Sequence, residues 1–446
     1  MSLIATTRRL VLGLGPTGLA IARHLQTLGL KFDLADTRKN LHLKHLAATE
    51  FPGVPSYLGP LSSRFLDLYD EVVVSPGIPP TTEGLADTRT ELVSDIQLFR
   101  RAWPATQPLV AITGTNAKST VTTLVLNILK ADGRDVLGGG NLGPQALDLL
   151  PKRKEHSIAV LELSSFQLER TRGLNASVST CLNMTSDHLD WHGSMAGYHR
   201  AKHRIFEGVS AIVVNAEDPL SQPLVPDNTT CIRFSLQSTD FGRFGILVHD
   251  NQEWIGLGSD PWMPVADLPI RGRHVVKNTM AAFAICKLLG VKKTISCDVA
   301  REFRGLPYRT QECQSARGIR FINDSKGTNV GASKEAMESA DPAGHLFLLA
   351  GGDSKDAELR DWVVVAQATC SMVFVFGRDR NKLANALGDF AVISETMAEA
   401  FDLAVAAANP GDIVLLSPAC ASLDQFPDYQ SRGAYFEKLV RKLNEA

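Results

Sequence analysis

Leu109-Val110-Ala111-Ile112-Thr113-Gly114-Thr115-Asn116-Ala117-Lys118-Ser119-Thr120 is the stretch that decides the fold of this chain. Its apolar, β-branched first half predicts a buried strand that ends at Gly114, and a helix is predicted from Val121 to Lys130. Backbone N–H groups in such a turn and at the helix N-terminus bind anions well. Lys118 can then reach the outer phosphates of a nucleotide, and the Ser119 hydroxyl can ligate Mg²⁺. The stretch therefore predicts a phosphate-binding loop.

This loop departs from the usual pattern in one respect. Ala117 stands where glycine commonly precedes the lysine, and no glycine lies five residues earlier. An ordinary strand-to-helix turn with an exposed lysine is the alternative. The order of strand, turn, Lys-Ser-Thr and helix favours phosphate binding over that alternative.

The composition indicates a globular protein of about three domains, because 446 residues can bury a core in each of them. The 46 basic and 48 acidic residues leave a net charge of −2, which favours neither nucleic acid nor a membrane surface as a partner. Seven widely spaced cysteines without a C-x-x-C pair argue against a disulfide framework and a zinc site. This cysteine pattern fits a reducing cytoplasm best. No apolar run reaches the roughly 18 residues of a membrane span.

Residues 1–94 are predicted to form a Rossmann-like domain. A strand over 9–14 leads into the G-x-G-x-x-G turn of residues 13–18 and then a helix. The next strand ends in Asp36-Thr37-Arg38, and Asp36 is an acidic residue about 20 positions after the glycine turn. Another strand, over 71–78, ends in a turn at Gly77. NAD fits this pattern, but a UDP-sugar carries the same pyrophosphate, and the glycines could also serve packing alone.

Residues 95–306 contain the phosphate-binding loop and further candidate ligands. A glycine-dense turn over 138–143 and a helix over 145–150 are predicted. The strand 158–161 ends in Glu162, where a Mg²⁺-nucleotide needs an oxygen ligand. Asp187-His188-Leu189-Asp190 suits a second metal or a catalytic group, although single residues of this kind are more often structural. Basic residues on the predicted helix 194–206, among them Lys202, are typical of a solvated face.

Residues 307–446 are predicted to form a third, parallel α/β domain. Its strands, at 320–323, 346–350, 373–376 and 413–416, alternate with helices. A polar cluster follows each strand, at 323–329, 351–355, 377–379 and 417–424. These clusters are expected to face one cleft, because the carboxyl ends of parallel strands meet at one edge of a sheet.

Together these stretches resemble the Mur ligase family over essentially the whole chain. The most specific pieces are residues 114–120, 161–169, 187–190, 323–326 and 416–426. The resemblance implies a Rossmann-like UDP-substrate domain, a central P-loop-type ATPase domain and a Rossmann-like C-terminal domain that closes over the site. It implies an ATP-dependent ligase that adds glutamate, expected to be D-glutamate, to UDP-N-acetylmuramoyl-L-alanine through an acyl phosphate. A monomer acting on small molecules is expected, and L-glutamate stays an alternative.

The resemblance also implies roles for individual residues. ATP would be bound by Gly114, Thr115, Asn116, Ala117, Lys118, Ser119, Thr120, Asn278, Arg309 and Asp324. The UDP-linked substrate would be bound by Gly15, Thr17, Asp36, Thr37, Arg38, Gly77, Asn141 and His188. Glutamate would be surrounded by Lys326, Thr328, Lys355, Ser422, Leu423 and Tyr429. Two Mg²⁺ ions would be held by Ser119, Glu162, His188 and Lys202, with a CO₂-derived carbamate on Lys202. The catalytic set would be Lys118, His188 and Lys202.

Besides Ala117, two positions depart from the family pattern, Val275 in place of asparagine and Tyr429 in place of phenylalanine. Two other classes of function stay open, an NAD(P)-dependent oxidoreductase and a non-catalytic nucleotide switch. Sibling ligases for another amino acid and folate-polyglutamate ligases are closer rivals. The stretches 36–38 and 417–426 favour the glutamate enzyme among them.

Overall fold

The computed structural model describes residues 7–226, 228–313, 315–340, 342–354 and 357–445. These residues form two compact units. The first contains the described residues of 1–184, 189–263 and 279–300, and the second those of 185–188, 264–278 and 301–446. No helix within the described ranges is both long and apolar enough to span a membrane.

The first sheet of the first unit has five parallel strands in the order β3-β2-β1-β4-β5. The strands are β1 (Arg9–Leu12), β2 (Asp33–Asp36), β3 (Ser56–Leu58), β4 (Glu71–Val74) and β5 (Glu91–Val93). The helices between and after them are α1 (Pro16–Thr27), α2 (Leu41–Glu50), α3 (Ser63–Leu66) and α4 (Asp95–Ala102). This is the predicted Rossmann-like arrangement, with β3 and β5 added at the edges.

The glycines of the first turn are required by close packing. A Cβ on Gly18 would lie 1.7 Å from the carbonyl oxygen of Gly13, and Gly13 itself has a φ of +98°. A side chain at Gly18 would therefore force α1 away from β1.

The second sheet has nine strands in the order β14-β13-β12-β11-β10-β9-β6-β8-β7. The strands are β6 (Leu109–Thr113), β7 (Val136–Gly140), β8 (Ile158–Glu162), β9 (Val178–Cys181), β10 (Ala211–Asn215), β11 (Thr230–Ser238), β12 (Arg243–His249), β13 (Gln252–Leu257) and β14 (Asp260–Pro264). The helices that follow β6 along the chain are α5 (Lys118–Ala131), α6 (Ser165–Glu169), α7 (Leu189–His192), α8 (Met195–His203), α9 (Arg273–Leu288) and α10 (Lys293–Glu302). The phosphate-loop strand β6 lies in the interior of the sheet, between β8 and β9.

The glycine-dense stretch after α5 was predicted as a turn, and this prediction is wrong for residues 138–140. They form the second half of β7 and pair in parallel with β8. A Cβ on Gly138 would lie 2.5 Å from Leu126 of α5, and one on Gly139 would lie 2.6 Å from the carbonyl oxygen of Pro144. The glycines therefore let a helix and a loop approach a strand. The helix predicted over 145–150 is a 3₁₀ helix, Ala146–Lys152, with Pro151 inside it.

The two sheets of the first unit share one hydrophobic core. It joins Val11 of β1 and Leu25 of α1 to Ala111 of β6 and to Leu147 of the 3₁₀ helix that follows β7. Trp103 stacks on Phe99 at a centroid distance of 5.3 Å. The segment between the two sheets is therefore packed into this core.

The second unit contains a six-stranded sheet in the order β15-β16-β20-β17-β18-β19. The strands are β15 (Gln311–Glu312), β16 (Arg320–Asn323), β17 (Leu346–Gly351), β18 (Met372–Phe376), β19 (Ala391–Ile393) and β20 (Ile413–Leu416). The helices are α11 (Val330–Ser339), α12 (Arg360–Thr369), α13 (Arg380–Leu387), α14 (Met397–Ala407) and α15 (Tyr429–Glu445). All neighbouring strands are parallel except the β15–β16 pair.

Asp95, at the start of α4, is a buried carboxyl that makes the stability of the first unit depend on pH. It is 1% exposed, its Oδ1 atom has no hydrogen-bond partner among the described residues, and its Oδ2 lies 3.4 Å from Nε2 of Gln167. Burial raises the pKa of Asp95 to about 6. The folded state then holds this proton more tightly than the unfolded state, so stability falls as pH rises through that range.

We expect thermal unfolding of wild-type protein to shift to lower temperature between about pH 4 and about pH 7, and Asp95 to contribute up to about 3 kcal/mol of the loss. Asp95→Asn should flatten this dependence, because the amide does not ionise. Asp87→Asn, at an exposed position, is the matched control. Parallel pH profiles for wild type and Asp95→Asn would contradict the prediction.

Candidate active site

The phosphate-binding loop is a tight turn braced by Asn183. The backbone N–H of Thr115 donates to the Asn183 carbonyl at 2.9 Å, and the N–H of Asn116 donates to its Oδ1 at 2.8 Å. Ala117 adopts a left-handed φ of +65° immediately before α5. A Cβ in that region costs about 1–2 kcal/mol, which explains why glycine is usual at this position. Helix α5 begins at Lys118, three residues earlier than predicted, so residues 118–120 form its first turn.

Two lysines converge on the carbonyl oxygen of Gly114 in this loop. Nζ of Lys118 donates to it at 2.9 Å and Nζ of Lys202 at 2.7 Å. Lys202 also lies 3.3 Å from Oγ1 of Thr113 and 4.9 Å from the ring centre of Tyr198. Lys202 is 2% exposed. The tertiary fold therefore brings the lysine of α8 to the turn that carries Lys118.

The expectation that Lys202 belongs to a solvated basic face is wrong. Arg200 is exposed, but Lys202 points inward with Tyr198 and Ala201. Spacings of three and four residues from Tyr198 put all three inward residues on one helix face. The spacing from Tyr198 therefore indicated in the sequence that Lys202 is buried, although the charge pattern alone indicated a solvated side chain.

Glu162 lies beside the loop at the end of β8. It pairs in register with Ile112 of β6, two residues before Gly114. Its Oε1 accepts a hydrogen bond from Nδ2 of Asn141, while its buried Oε2 has no partner among the described residues. An isolated buried carboxylate oxygen is costly, so this atom is suited to a cation.

The first turn of the Rossmann-like sheet is organised by Asp36. This carboxylate is fully buried and accepts hydrogen bonds from the N–H of Leu14 and from the backbone and guanidinium of Arg38, all at 2.8–2.9 Å. Burial by itself would raise the pKa of Asp36, but these hydrogen bonds outweigh it and lower the pKa. Asp36 therefore shapes the turn and neutralises Arg38 from within the protein. Oγ1 of Thr17, in the same turn, donates to Oε1 of Gln145 at 2.8 Å. Thr37 and Gly15 are partly exposed, and Gly77 is exposed.

In the second unit, polar groups gather at the carboxyl ends of β16 and β20. Asp324 accepts a hydrogen bond from Ser417 at 2.6 Å and one from the N–H of Thr310 at 3.1 Å. Burial raises the pKa of Asp324 to about 7. Nζ of Lys326 lies 4.1 Å from the ring centre of Tyr429. The structure thus confirms that clusters from separate strand ends meet at one edge of this sheet.

The other predicted residues of the second unit have mixed environments. Ser422 is buried, Leu423 is 74% exposed, and Asn278, Arg309 and Thr328 are partly exposed. His188, with a left-handed φ of +53°, lies 3.5 Å from the carboxylate of Asp187, which in turn accepts from Asn329 at 3.4 Å. Lys355 lies outside the described residues.

Three comparisons with known proteins agree with this arrangement. The Mur ligase MurD-like N-terminal domain matches residues 7–95, the Mur ligase middle domain matches 112–286, and the glutamate ligase domain of Mur ligases matches 308–420. A UDP-N-acetylmuramoylalanine--D-glutamate ligase of Pseudomonas aeruginosa is 43% identical over 99% of this chain and 100% of its own length. A protein of the same name from Chromohalobacter salexigens is 42% identical over the full length of both.

The chain belongs to the Mur ligase family. It is an enzyme of the amide-forming ligase class, with the three-part α/β architecture of that family. Solved structures share its fold at lower identity. A pseudomurein peptide ligase type C from Methanothermus fervidus aligns with a TM-score of 0.64 at 18% identity, over 98% of this chain and 100% of that one. MurF from Acinetobacter baumannii aligns with a TM-score of 0.61 at 18% identity, over 98% of this chain and 93% of that one.

The site of this Mur ligase also contains a residue that the sequence did not single out. Arg432 of α15 is fully buried and donates to Ser325, Gly351 and Cys420, which follow or end β16, β17 and β20. One arginine thus holds three strand ends in place beneath the polar clusters. It was missed because an arginine in a terminal amphipathic helix is more often solvated.

Proposed function

We propose that this Mur ligase joins D-glutamate to UDP-N-acetylmuramoylalanine with conversion of ATP into ADP and phosphate, in the synthesis of peptidoglycan precursors. The observation that carries the proposal most directly is the convergence of Lys118 and Lys202 on the Gly114 carbonyl oxygen, with Glu162 in register with Ile112 on the neighbouring strand. The names of the two relatives support the choice of substrates.

The chemistry demands such a cationic site. A carboxylate is a poor electrophile, so the alanyl carboxylate first takes the γ-phosphoryl group of ATP, which gives an acyl phosphate and ADP. The amine of glutamate then attacks this carbonyl carbon, and phosphate leaves as the amide forms. Both steps gather negative charge, and positioned cations stabilise it. Lys118 would supply one of them, directed at the outer phosphates of ATP.

The residues around Glu162 fit Mg²⁺. The unpartnered Oε2 of Glu162 and the hydroxyl of Ser119 are hard oxygen donors, and Mg²⁺ commonly takes one or two protein oxygens together with substrate phosphates. Among the described residues no group of three or more His, Cys, Asp or Glu side chains could hold a metal ion by itself. This composition agrees with ions that bind together with ATP. When bound, Mg²⁺ would neutralise charge on the phosphates.

A carbamate on Lys202 would suit the same place. Two ammonium groups at one carbonyl oxygen repel each other by about 3 kcal/mol at ~5 Å and an effective dielectric constant of ~20. A carbamate replaces that repulsion by attraction to Lys118 and presents oxygen atoms to a second Mg²⁺. We therefore propose that Lys202 reacts as an amine with CO₂ and serves as an anionic ligand, with His188 as a further ligand.

The second unit would bind glutamate and the remainder of ATP. Lys326 and Lys355 would pair with the two carboxylates of glutamate, near Thr328, Ser422, Leu423 and Tyr429. Asn278, Arg309 and Asp324 would contact ATP. A monomer in the cytoplasm is the proposed setting, which agrees with seven cysteines that form no disulfide in the described residues.

The oxidoreductase alternative loses its main residue. It needs an acidic side chain that offers oxygen atoms to a ribose, but Asp36 is buried and bonded to Leu14 and Arg38. We therefore do not favour NAD(P) as the ligand of the first sheet.

Phosphate release is the test of the proposed reaction. We expect release only when ATP, UDP-N-acetylmuramoylalanine and D-glutamate are all present, with L-glutamate much less effective. If phosphate were released with L-glutamate but not with D-glutamate, the amino-acid substrate would be L-glutamate. ATP binding without any substrate-dependent release would support the nucleotide switch instead.

Asp36→Ala is expected to raise KM for the UDP-substrate about 10- to 100-fold, because it removes charged hydrogen bonds that shape the turn. The KM for ATP should stay within about twofold, since the ATP loop is not touched. Asp36→Asn keeps an acceptor for Leu14, so its KM for the UDP-substrate should lie between those of wild type and Asp36→Ala. Asp70→Ala, at an exposed position, is the control, and an unchanged KM in Asp36→Ala would mean that this turn does not bind the UDP part.

A further inference from the structure

Arg170, directly after α6, is a cation that the functional site described above does not use. Its Nη1 donates to the carbonyl oxygen of Ile78 at 3.0 Å, in the turn that follows β4. This is the only hydrogen bond its guanidinium makes within the described part of the chain, and it forms no ion pair there. Four N–H donors of the guanidinium are thus left for another acceptor.

The neighbouring carboxylate, Glu169, attracts Arg170 but is shared with His192 and Arg204. Glu169 lies 3.2 Å from Nδ1 of His192 and 3.8 Å from Arg204, and the hydrogen bond with His192 is the main cause that lowers the pKa of Glu169. Burial lowers the pKa of Arg170, so its charge is held at a desolvation cost. A partly buried arginine with spare donors is the arrangement that binds phosphate or carboxylate groups.

The charge of Arg38, the other arginine at the first turn, is already paired with a carboxylate. Its Nε and Nη2 atoms donate to Asp36 at 2.8 Å each. A diphosphate at the Gly77 turn is an anion whose charge backbone N–H groups alone do not neutralise. Arg170, bonded to the residue next to Gly77, is placed to supply a side-chain cation.

Helix α6 connects Arg170 to the strand end that carries Glu162. The helix follows β8 after two residues and is closed at its start by a capping box between Ser164 and Gln167. One rigid segment therefore carries the metal-binding candidate at its start and the guanidinium at its end. The proposed substrate has the same two poles, a carboxylate to be phosphorylated and a diphosphate.

We propose that Arg170 binds the diphosphate of the UDP-linked substrate. This inference rests on the proposed function. A purely structural role, in which Arg170 only anchors the Ile78 turn, is the competing explanation.

Calorimetric titration of the full-length protein with UDP and with uridine separates the two roles. Arg170→Met should weaken UDP binding about 10- to 100-fold, the range of one charged hydrogen-bonded contact, and leave uridine binding within about twofold. Arg170→Lys should recover part of the UDP affinity. Arg172→Met, at an exposed arginine 3.9 Å from Glu207, is the matched control.

Three results would overturn the proposal. Equal weakening of UDP and uridine would show that Arg170 acts only on the shape of the turn. Unchanged UDP affinity in Arg170→Met would show that the diphosphate lies elsewhere, with the proposed ligase function intact. A wild-type protein that binds no UDP would remove the proposed role of the first sheet together with this one.

Discussion

Lys202→Ala is expected to lower the ligation rate at least about 1000-fold, because the variant loses both the carbamate and the charge balance at the Gly114 turn. In wild-type protein this side chain is buried and shares the Gly114 carbonyl with Lys118. Substrate-dependent phosphate release under saturating ATP measures the effect. Arg200→Ala, two residues earlier on the exposed face of α8, is the control and should retain activity within about twofold.

Chemical rescue tests the carbamate itself. The Lys202→Ala variant leaves space beside Thr113 and Gly114, so acetate or formate should restore part of the activity with a saturable concentration dependence. Isotope-labelled bicarbonate should also label wild-type protein at a carbamate carbon and not label the variant. Full activity in Lys202→Ala without added carboxylate would rule the carbamate out. So would a combined result in which carboxylates do not rescue the variant and wild-type protein is not labelled.

Lys118→Ala is expected to reduce the ligation rate about 100- to 1000-fold, because it removes a cation aimed at the phosphates where charge develops. In the structure this side chain is held over the loop by the carbonyl oxygens of Gly114 and Thr115, at 2.9 Å each. The loss should appear mainly in kcat, with a smaller rise in KM for ATP, since the interaction strengthens in the transition state.

Two controls make this result specific. Lys130→Ala removes an exposed lysine from the last turn of the same helix and should leave the rate unchanged. Small carboxylates should not rescue Lys118→Ala, in contrast to Lys202→Ala. A Lys118→Ala variant with wild-type kcat would contradict the phosphate role of the loop.

The central elements were predictable because they carry strong local patterns. The strand 109–113, the turn at Gly114 and the helix after it combine an apolar run, a glycine and a clean helix start. The edge strands β3, β5, β14, β15 and β19 were missed. Most of them have two or three residues, too few for a periodic signal, and each lies at the rim of its sheet.

Side-chain environments were harder to predict than elements. Asp36 was expected at the ligand, yet it is buried, and its acceptors are used by the N–H of Leu14 and by Arg38, two residues further along the chain. Residues 138–140 were expected as a turn, yet they pair as a strand because α5 packs closely on them. The packing of α5 on these glycines and the bond from Leu14 to Asp36 both come from another part of the chain.

Local pattern and motif order alone were enough to establish the three α/β segments, the phosphate-binding loop and the Mur ligase resemblance, because these depend on neighbours within a few residues. Packing decided which charged side chains act together. Lys202 of α8 and Lys118 of α5 are far apart in sequence, and only the tertiary fold brings both to the carbonyl oxygen of Gly114. The pairing of β6 with β8 places Glu162 in register with Ile112, two residues before that glycine. The physical reason is that burial of an ion depends on long-range contacts, which spacing along the chain does not encode.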